Sequence, residues 1–400
     1  MATNFEANVK PEPSGLTQLY KCPSLFIAGI ISLLLVTYLT GTYGWRQGAL
    51  FLVGLVAGVS LYHAAFGFTA AWREVISSGR SSGLRAQMVM MGLAVLFFTP
   101  LIALGEFGGI SLRGNSAPLN MAVIWGAFVF GVGMQLGGGC ASGTLFTVGG
   151  GNSRMLVTLA AFIIGSLLGS WHWASWQDAP GFEAVVLSQR FGVLPAILIS
   201  MLIFAAVWFI AAANERRRLG EVSSFWKTEK DRSWLRGPWP VVIGAVALAA
   251  VNIATLLLAG RPWGVTSAFA LWGAKIAGLL SIDVSTWAYW QRPASLNSLN
   301  QSVLADVTSI MNFGIILGAL SAASLANRFA PSLKLPWRSL LAAIIGGLLL
   351  GYGARIAFGC NIGAYFSGIS STSMHGWLWF VAAFIGNIIG TRMRPYFGMN

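Results

Sequence analysis

Charged side chains are scarce in this sequence and make up 9% of its 400 residues. Soluble globular domains contain about 25% charged residues, so this composition excludes a soluble fold. Hydrophobic residues make up 56% of the chain. Apolar runs of about 20 residues, the length that a helix needs to cross a bilayer, recur along almost all of it, and strand-like alternation is missing. The sequence therefore predicts an all-α integral membrane protein.

Ten apolar segments are long enough to be transmembrane helices. They are Ser24 to Leu39, Ala49 to Ala65, Arg85 to Leu104, Met121 to Gly138, Ser153 to Trp173, Phe191 to Ala213, Pro238 to Ala259, Ser309 to Asn327, Pro336 to Phe358 and Ser373 to Arg392. The polar segment before the first of them lacks the basic, apolar and small-residue pattern of a cleaved signal peptide. We expect this segment to remain on the cytoplasmic side.

Acidic residues are also few, with 12 Asp and Glu against 25 Lys and Arg, which gives a net charge of +13. The basic residues are concentrated in the loops 73–85, 214–237 and 328–338 and at 392–394. Because cytoplasmic loops of membrane proteins carry an excess of Lys and Arg, we expect these segments and both termini to be cytoplasmic. The positive charge is therefore an orientation signal, and no nucleic-acid partner is expected.

The chain has only three cysteines, too few for a framework of disulfides. Two of them occupy matching positions in a repeated motif, GVGMQLGGGCASGTLF at 131–146 and GYGARIAFGCNIGAYF at 351–366. Cys22 has no such context, and we interpret it as incidental. A single membrane cysteine usually acts as a small hydrophobe, and glycines often serve helix packing. The matched pair, Cys140 and Cys360, favours a functional role over both alternatives.

A second, weaker repeat relates GFTAAW at 67–72 to GVTSAF at 264–269. In the predicted topology, the span before Cys140 runs inward and the span before Cys360 runs outward, so the two halves are inverted. Inverted repeats with broken helices are typical of transporters that bind their substrate near the bilayer midplane. The predicted organisation is a cytoplasmic segment at 1–23, an extra helix and loop at 24–48, a first repeat at 49–213, a basic linker at 214–237 and a second repeat at 238–394.

The segment after each cysteine has only about ten residues before the next turn signal, which is too short to cross the bilayer. We therefore expect four short re-entrant helices, one after each motif, and such breaks should line a path. A helix N-terminus attracts an anion, and a neutral thiol offers a soft S–H donor, so we expect a small sulfur-containing anion and no cofactor or metal. The predicted substrate path consists of Cys140, Cys360, Gly139, Gly359, Gly67, Thr69, Gly264, Thr266, Ser267, Asn361, Arg355 and Lys275.

Two cations fall in apolar surroundings, Arg355 five residues before Cys360 and Lys275 in ALWGAKIAGLL. Intramembrane cations usually face a cavity and mark ion routes. For Lys275, an equally good interpretation is that it extends to the membrane interface. Gln135 matches the position of Arg355, so a cationic attraction would act in one half only.

An intramembrane sulfurtransferase or thiol oxidoreductase would use the same cysteines covalently. The sequence has no CxxC motif and no Cys–His arrangement, so we expect a protein that is not an enzyme. A covalent function stays the alternative to transport.

The motifs GFTAAWRE at 67–74, GGCASGT at 138–144, GVTS at 264–267 and GCNIG at 359–363 resemble those of the YeeE/YedE thiosulfate transporters of bacterial inner membranes. The resemblance covers about residues 50–394. It implies thiosulfate uptake from the periplasm through an hourglass-like arrangement, in which the two matched cysteines pass the anion along by S–H contacts. It also implies a small cytoplasmic sulfur-carrier protein as a partner.

Position 67 departs from this family, because many members have a cysteine where this chain has Gly67. A related sulfur or selenium compound is therefore an alternative cargo.

Overall fold

The structure is a computed structural model that describes residues 23–226, 233–329, 331 and 335–399. Cys22 and residues 1–22 of the predicted N-terminal segment lie outside this part, as do residues 227–232 of the predicted linker. The described residues are mainly helical. Their four strands form two antiparallel pairs of two residues each, Glu106–Phe107 (β1) with Ile110–Ser111 (β2) and Leu119–Asn120 (β3) with Gly181–Phe182 (β4). The predicted all-α membrane class is confirmed.

A long helix lies at each of the ten predicted spans. These helices are α1 (Pro23–Tyr43), α2 (Trp45–His63), α4 (Ser82–Leu104), α5 (Met121–Gly137), α7 (Ser153–Trp171), α10 (Val193–Leu219), α11 (Val241–Ala259), α15 (Val307–Leu325), α16 (Trp337–Ile356) and α18 (His375–Met393). By length and hydropathy, nine helical segments of the described residues qualify as membrane-crossing, and α18 is not among them. Polar residues such as His375, Asn387 and Arg392 lower its hydropathy, and it packs against α5.

Short helices follow the four glycine-containing motifs, as the sequence predicts. The helices α3 (Phe68–Ser77) and α12 (Thr266–Leu279) follow the two glycine–threonine motifs. The helix α6 (Ala141–Gly149) follows Cys140, and a π-helix over Asn361–Ser367, continued by α17 (Gly368–Ser370), follows Cys360. The remaining elements lie in loops and are α8 (Ala174–Gln177), α9 (Leu187–Phe191), α13 (Ala288–Gln291), α14 (Pro293–Asn300) and the 3-10 helices Val303–Ala305 and Arg394–Phe397.

The long helices pack against one another in pairs. The helix α16 lies against α7 and α5, α18 lies against α5, α15 lies against α2, and α11 lies against α4. Glycines at the crossings let the backbones approach closely. A Cβ added at Gly131 would lie 2.1 Å from the carbonyl oxygen of Ala383, and one at Gly351 would lie 2.3 Å from that of Phe162. Packing therefore accounts for these two matched glycines, but it does not account for the cysteines that follow them.

Candidate functional site

Cys140 lies in the break between α5 and α6 and caps the N-terminus of α6. The helix α5 ends at Gly137, Gly138 follows with φ +88°, and α6 begins one residue after the cysteine. The Cys140 Sγ accepts a hydrogen bond from the Gly143 amide at 3.4 Å and lies 3.5 Å from the Ser142 Oγ. The cysteine thus caps a helix N-terminus with its sulfur and is only 1% exposed.

The break before Cys360 has a different local structure. Gly359 has φ +148°, and a Cβ added there would lie 2.7 Å from the Ala364 amide nitrogen, so this position requires glycine. The following helix is of the π type, and Cys360 makes no side-chain cap to it. Helix segments of the π type are rare and are often found at functional sites.

The two breaks meet inside the protein. Cys140 and Cys360 are both free thiols and both buried. The helix α6, which begins after Cys140, contacts the π-helix that begins after Cys360. The structure therefore brings together the two helices that follow the matched cysteines, although 220 residues separate the cysteines in the chain.

The glycine–threonine motifs join the same assembly through matched contacts. In the first half, the Gln135 Nε2 donates to the Thr69 carbonyl at 3.1 Å. In the second half, the Arg355 Nη2 approaches the Thr266 Oγ1 at 3.4 Å. Gln135 lies five residues before Cys140, and Arg355 lies five residues before Cys360. In each half, the residue at this position therefore contacts the threonine of the glycine–threonine motif.

Two arginines stabilise the end of α5 just before the first cysteine. Arg154 donates from Nη1 to the Gly137 carbonyl at 2.7 Å and from Nη2 to the Leu136 carbonyl at 2.6 Å. Arg394 donates from Nη1 to the Gln135 carbonyl at 2.9 Å. Cations at a helix C-terminus satisfy its last carbonyls and suit its dipole. Sequence reasoning missed this role, because basic residues at these positions also fit an ordinary cytoplasmic loop.

A cavity of about 500 Å³ opens at the end of the bundle that we expect to be periplasmic. Among the described residues that line it are three arginines and no aspartate or glutamate. Five of the predicted path residues contribute to it. The lining that carries the argument comprises Arg261, Arg292, Arg355, Tyr289, Gly264, Thr266, Ser267, Gly359 and Gly363. The cavity therefore places unneutralised positive charge beside the Cys360 break, which suits an anion.

Tyr289 lies between two of these arginines, and the sequence analysis did not identify it. The Arg355 Nη1 donates to its hydroxyl, and Arg292 lies over its ring with the Cζ 4.1 Å from the centroid. Burial on its own would raise the pKa of the Tyr289 phenol, but the positive charges of Arg355 and Arg292 outweigh it and lower the pKa. Arg261 and Arg292 were also missed, because in the sequence they are merely two basic residues of a predicted outer loop.

A smaller cavity of about 190 Å³ lies at the opposite end of the bundle. Gly67, one of the predicted path residues, lines it together with Glu74 and Gln87. This cavity contains a carboxylate and, among its described lining residues, no arginine or lysine. The two ends of the assembly thus differ in charge.

Aromatic rings pack between the two cavities. Phe68 follows Gly67 in the chain, and its ring lies 6.1 Å from that of Tyr365, two residues after Gly363 of the large cavity. Tyr365 also stacks on Phe380 with centroids 5.0 Å apart. These rings are closely packed and buried, so residues next to the walls of the two cavities are in contact.

Three other predicted path residues, Asn361, Thr69 and Lys275, line neither of these two cavities. Asn361 is fully buried, and neither of its side-chain polar atoms has a partner among the described residues. The Thr69 Oγ1 is also buried and without a partner in this part of the chain. Lys275 is not brought to the arginine-lined cavity, because its Nζ donates to the Leu299 carbonyl at 2.6 Å beside a separate surface pocket.

Comparison with known proteins identifies the family of this chain. A family model described as sulphur transport matches residues 63–389. The chain is 28% identical over 360 residues to the thiosulfate transporter TsuA of Spirochaeta thermophila. The aligned region covers 84% of this chain and 95% of that protein. It is 23% identical over 354 residues to the thiosulfate transporter TsuA of Escherichia coli, covering 84% of this chain and 91% of that protein.

The probable transporter YedE of Escherichia coli is 31% identical over 160 residues, or 40% of this chain. The chain spans only 39% of the length of that relative. The family match, in contrast, covers most of the chain and contains both cysteine motifs and both glycine–threonine motifs. The protein therefore belongs to the sulphur-transport family, as the resemblance to YeeE/YedE proteins predicted.

Proposed function

We propose that this protein carries thiosulfate, or a closely related small sulfur-containing anion, across the bacterial inner membrane into the cytoplasm. The observation that carries the proposal is the cavity with three arginines and no carboxylate among its described lining residues, whose wall includes Gly359 next to the buried Cys360. An anion is attracted into such a cavity and reaches the helix break at its inner end. The thiosulfate transporters among the relatives support the choice of anion.

The path then continues over the two thiols. Each thiol is a soft, neutral S–H donor at a helix break, and it can bind the sulfur of an anion without repelling its charge. Passage from one side to the other requires the rings of Phe68 and Tyr365 to separate. Gly67 and the smaller cavity lie on the far side, where the anion leaves. The path residues proposed from the sequence are retained, with Lys275 placed outside the arginine-lined cavity.

The two halves, at 49–213 and 238–394, form an inverted repeat in this proposal. The matched contacts of Gln135 and Arg355 support it, as do the pairs α5 with α18 and α16 with α7. Packing also refines the boundary. The helix α1 packs against α15, and α10 packs against α4. In the proposed repeat, α4 of the first half corresponds to α15 of the second half. The helices α1 and α10 therefore make equivalent contacts and correspond to each other. We therefore propose a changed boundary, in which α1 belongs to the first half and α10 to the second half, although the predicted boundaries exclude α1 from the first half and place most of α10 in it.

The orientation follows from the basic loops, with both termini and the segment 214–237 in the cytoplasm and the arginine-lined cavity facing the periplasm. Single cysteines introduced in a variant without native cysteines test it with a membrane-impermeant reagent. Ser175 and Ser224 are suitable positions, because both are exposed, whereas Ser223 is half-buried and accepts from Arg85. Labelling from outside at position 224 but not at 175 would overturn the orientation.

Transport without chemistry is the function we favour over an intramembrane sulfurtransferase. The relatives' names as transporters support this choice. Intact-mass measurement after exposure to thiosulfate separates the two functions, because in a covalent mechanism a cysteine thiolate attacks the outer sulfur of thiosulfate, releases sulfite and keeps a persulfide. We also retain a small cytoplasmic sulfur-carrier protein as the expected partner and expect no nucleic-acid partner.

Radiolabelled thiosulfate uptake in a host that lacks its own uptake system tests the function. We expect uptake that depends on this protein and that unlabelled thiosulfate suppresses. Sulfate, sulfite and selenite serve as competitors to define the anion. Absence of uptake from cells that contain the protein in the membrane would contradict the proposal.

A further inference from the structure

Tyr289 is enclosed by two of the three cavity arginines, although it lies in the short loop helix α13. The Cζ of Arg292 is 4.1 Å from its ring centroid and that of Arg355 is 5.2 Å away. Arg292 also donates from Nε to the Tyr289 main-chain carbonyl at 3.1 Å. With 8% exposure, the tyrosine is nearly buried and cannot leave this position without moving both guanidinium groups.

Arg355 depends strongly on this contact. An arginine has five N–H donors, and Arg355 directs one to the Tyr289 hydroxyl. A second reaches the Thr266 Oγ1 at the long distance of 3.4 Å, and the Nε has no partner among the described residues. Arg355 is only 7% exposed and lines the cavity, so water or an anion in the cavity must satisfy its remaining Nη donors. A nearly buried cation with unused donors beside a cavity is prepared for an anionic ligand.

We propose that Tyr289 is a positioning residue that sets the specificity of the cavity. It holds the Arg355 guanidinium against the wall so that the unused donors face the oxygen atoms of the anion. The inference rests on the proposed function and names the substrate class of the same cavity, an oxyanion with two negative charges. Two fixed guanidinium groups favour a dianion, because a monoanion of similar size gains attraction for only one charge.

The fixed geometry matters because free arginine side chains are flexible. An unheld guanidinium would lose conformational freedom when it binds the anion, and that loss weakens affinity. Removing the Tyr289 hydroxyl should therefore act through Arg355 and should affect affinity rather than the rate of passage. Tyr289→Phe is the suitable variant, since the ring that contacts Arg292 is kept.

A double-mutant cycle in proteoliposomes tests this coupling with the purified full-length chain. Initial rates of thiosulfate uptake are measured over a range of concentrations for wild type, Tyr289→Phe, Arg355→Gln and the double variant. We expect Tyr289→Phe to raise the half-saturation concentration about fivefold, the effect of one hydrogen bond, with an unchanged maximal rate. The double variant should be no weaker than Arg355→Gln alone. Losses that multiply would overturn the inference, since independent residues give additive free energies.

Competition by anions tests the substrate class separately. Sulfate is a dianion and nitrate a monoanion, and Tyr289→Phe should weaken inhibition by sulfate more than inhibition by nitrate. Equal weakening of the two would overturn the specificity role. If Arg355→Gln does not accumulate, Arg355→Lys replaces it in the cycle, because lysine keeps the charge but lacks the planar fork.

Tyr352→Phe is the matched control. Its hydroxyl accepts from the Trp176 Nε1 at 3.1 Å, and it lies on the same helix as Arg355 without lining the cavity. Uptake by this variant should equal that of wild type. A Tyr289→Phe variant with a lower melting temperature and maximal rate but an unchanged half-saturation concentration would show a merely structural role and overturn the inference.

Thiosulfate uptake by the wild-type protein distinguishes failure of this inference from failure of the proposed function. Wild-type protein that takes up no thiosulfate overturns the proposed transport. The thermal stabilisation of purified wild type and Tyr289→Phe by sulfate and by nitrate then still decides the role of Tyr289. Stabilisation by sulfate that the substitution selectively reduces supports the inference, and stabilisation that it leaves unchanged contradicts it.

Discussion

The break at Cys140 and the break at Cys360 share one sequence pattern but have unlike surroundings. Cys140 caps a regular α-helix through the Gly143 amide, whereas Cys360 begins a π-helix without such a cap. Five residues earlier, the first half has the neutral Gln135 and the second half has Arg355. The arginine-lined cavity of about 500 Å³ adjoins the Cys360 break. In the proposed function, the shared residues define one path, and the residues that differ distinguish its two ends.

The largest effect is expected where the two halves differ in charge. Arg355→Gln gives the second half the residue that the first half has at this position. We expect a rise of about tenfold or more in the half-saturation concentration for thiosulfate, because a hydrogen bond to a charged group contributes about 1.5–3 kcal/mol. Concentration-dependent uptake measures it. Arg190→Gln removes the same charge from an exposed position outside the cavity, and an equal effect of both variants would refute the role of Arg355.

The glycines before the two cysteines should differ in their tolerance of a side chain. Gly359 has φ +148° and no space for a Cβ, so Gly359→Ala should destabilise the protein by about 1–3 kcal/mol and impair uptake. At Gly139, a Cβ would lie 3.2 Å from the nearest backbone atoms, and φ is not positive, so Gly139→Ala should cost less. Melting temperatures of the two variants in detergent compare them. A lower melting temperature for Gly139→Ala would reverse the predicted order.

Filling the large cavity should reduce uptake without unfolding the protein. Gly363 lines this cavity, and a Cβ added there meets no atom within 4 Å. Gly363→Leu should therefore leave the melting temperature unchanged and partly block entry to the Cys360 break. Gly278→Leu is the control, because that glycine also has open space but lies outside the cavity. Unchanged uptake by Gly363→Leu would exclude the cavity as the entrance.

The smallest effect is expected at Gly67, the position at which the sequence departs from the family pattern that it resembles. A Cβ there would make ordinary contact with the Ala70 Cβ at 3.7 Å, and φ is −119°, so Gly67→Cys should fold normally. We expect uptake to change by no more than about fivefold, the value of one hydrogen bond. Uptake and melting temperature measured together check this. A complete loss of uptake would show that the first half passes the anion differently from the second.

The sequence predicted the ten long helices well, because the thickness of the bilayer determines the length of each apolar run. The four breaks were also predictable, since glycine and cysteine recur there against an otherwise apolar background. The cavity arginines were only partly predictable. Arg355 stands out in an apolar span. Arg261 lies between α11 and α12 and Arg292 between α13 and α14, and the tertiary packing of these two connections brings them to the cavity.

Two features had no signal in the sequence. The motif around Cys360 matches that around Cys140, so it does not predict that one helix is regular and the other of the π type. Lys275 and Arg355 look alike as intramembrane cations, but the Leu299 carbonyl binds the first and Tyr289 the second. Such partners come from distant loops, and spacing along the chain does not reveal them.

The central claim is that both buried thiols carry the anion, and radiolabelled thiosulfate uptake by cysteine variants at equal protein levels tests it most directly. We predict that Cys140→Ala and Cys360→Ala each reduce uptake by more than the roughly fivefold that one lost hydrogen bond explains, with little change in melting temperature. Serine at either position should restore uptake only in part, and Cys22→Ala should have no effect. Uptake near the wild-type rate by the Cys140→Ala, Cys360→Ala double variant would contradict the account.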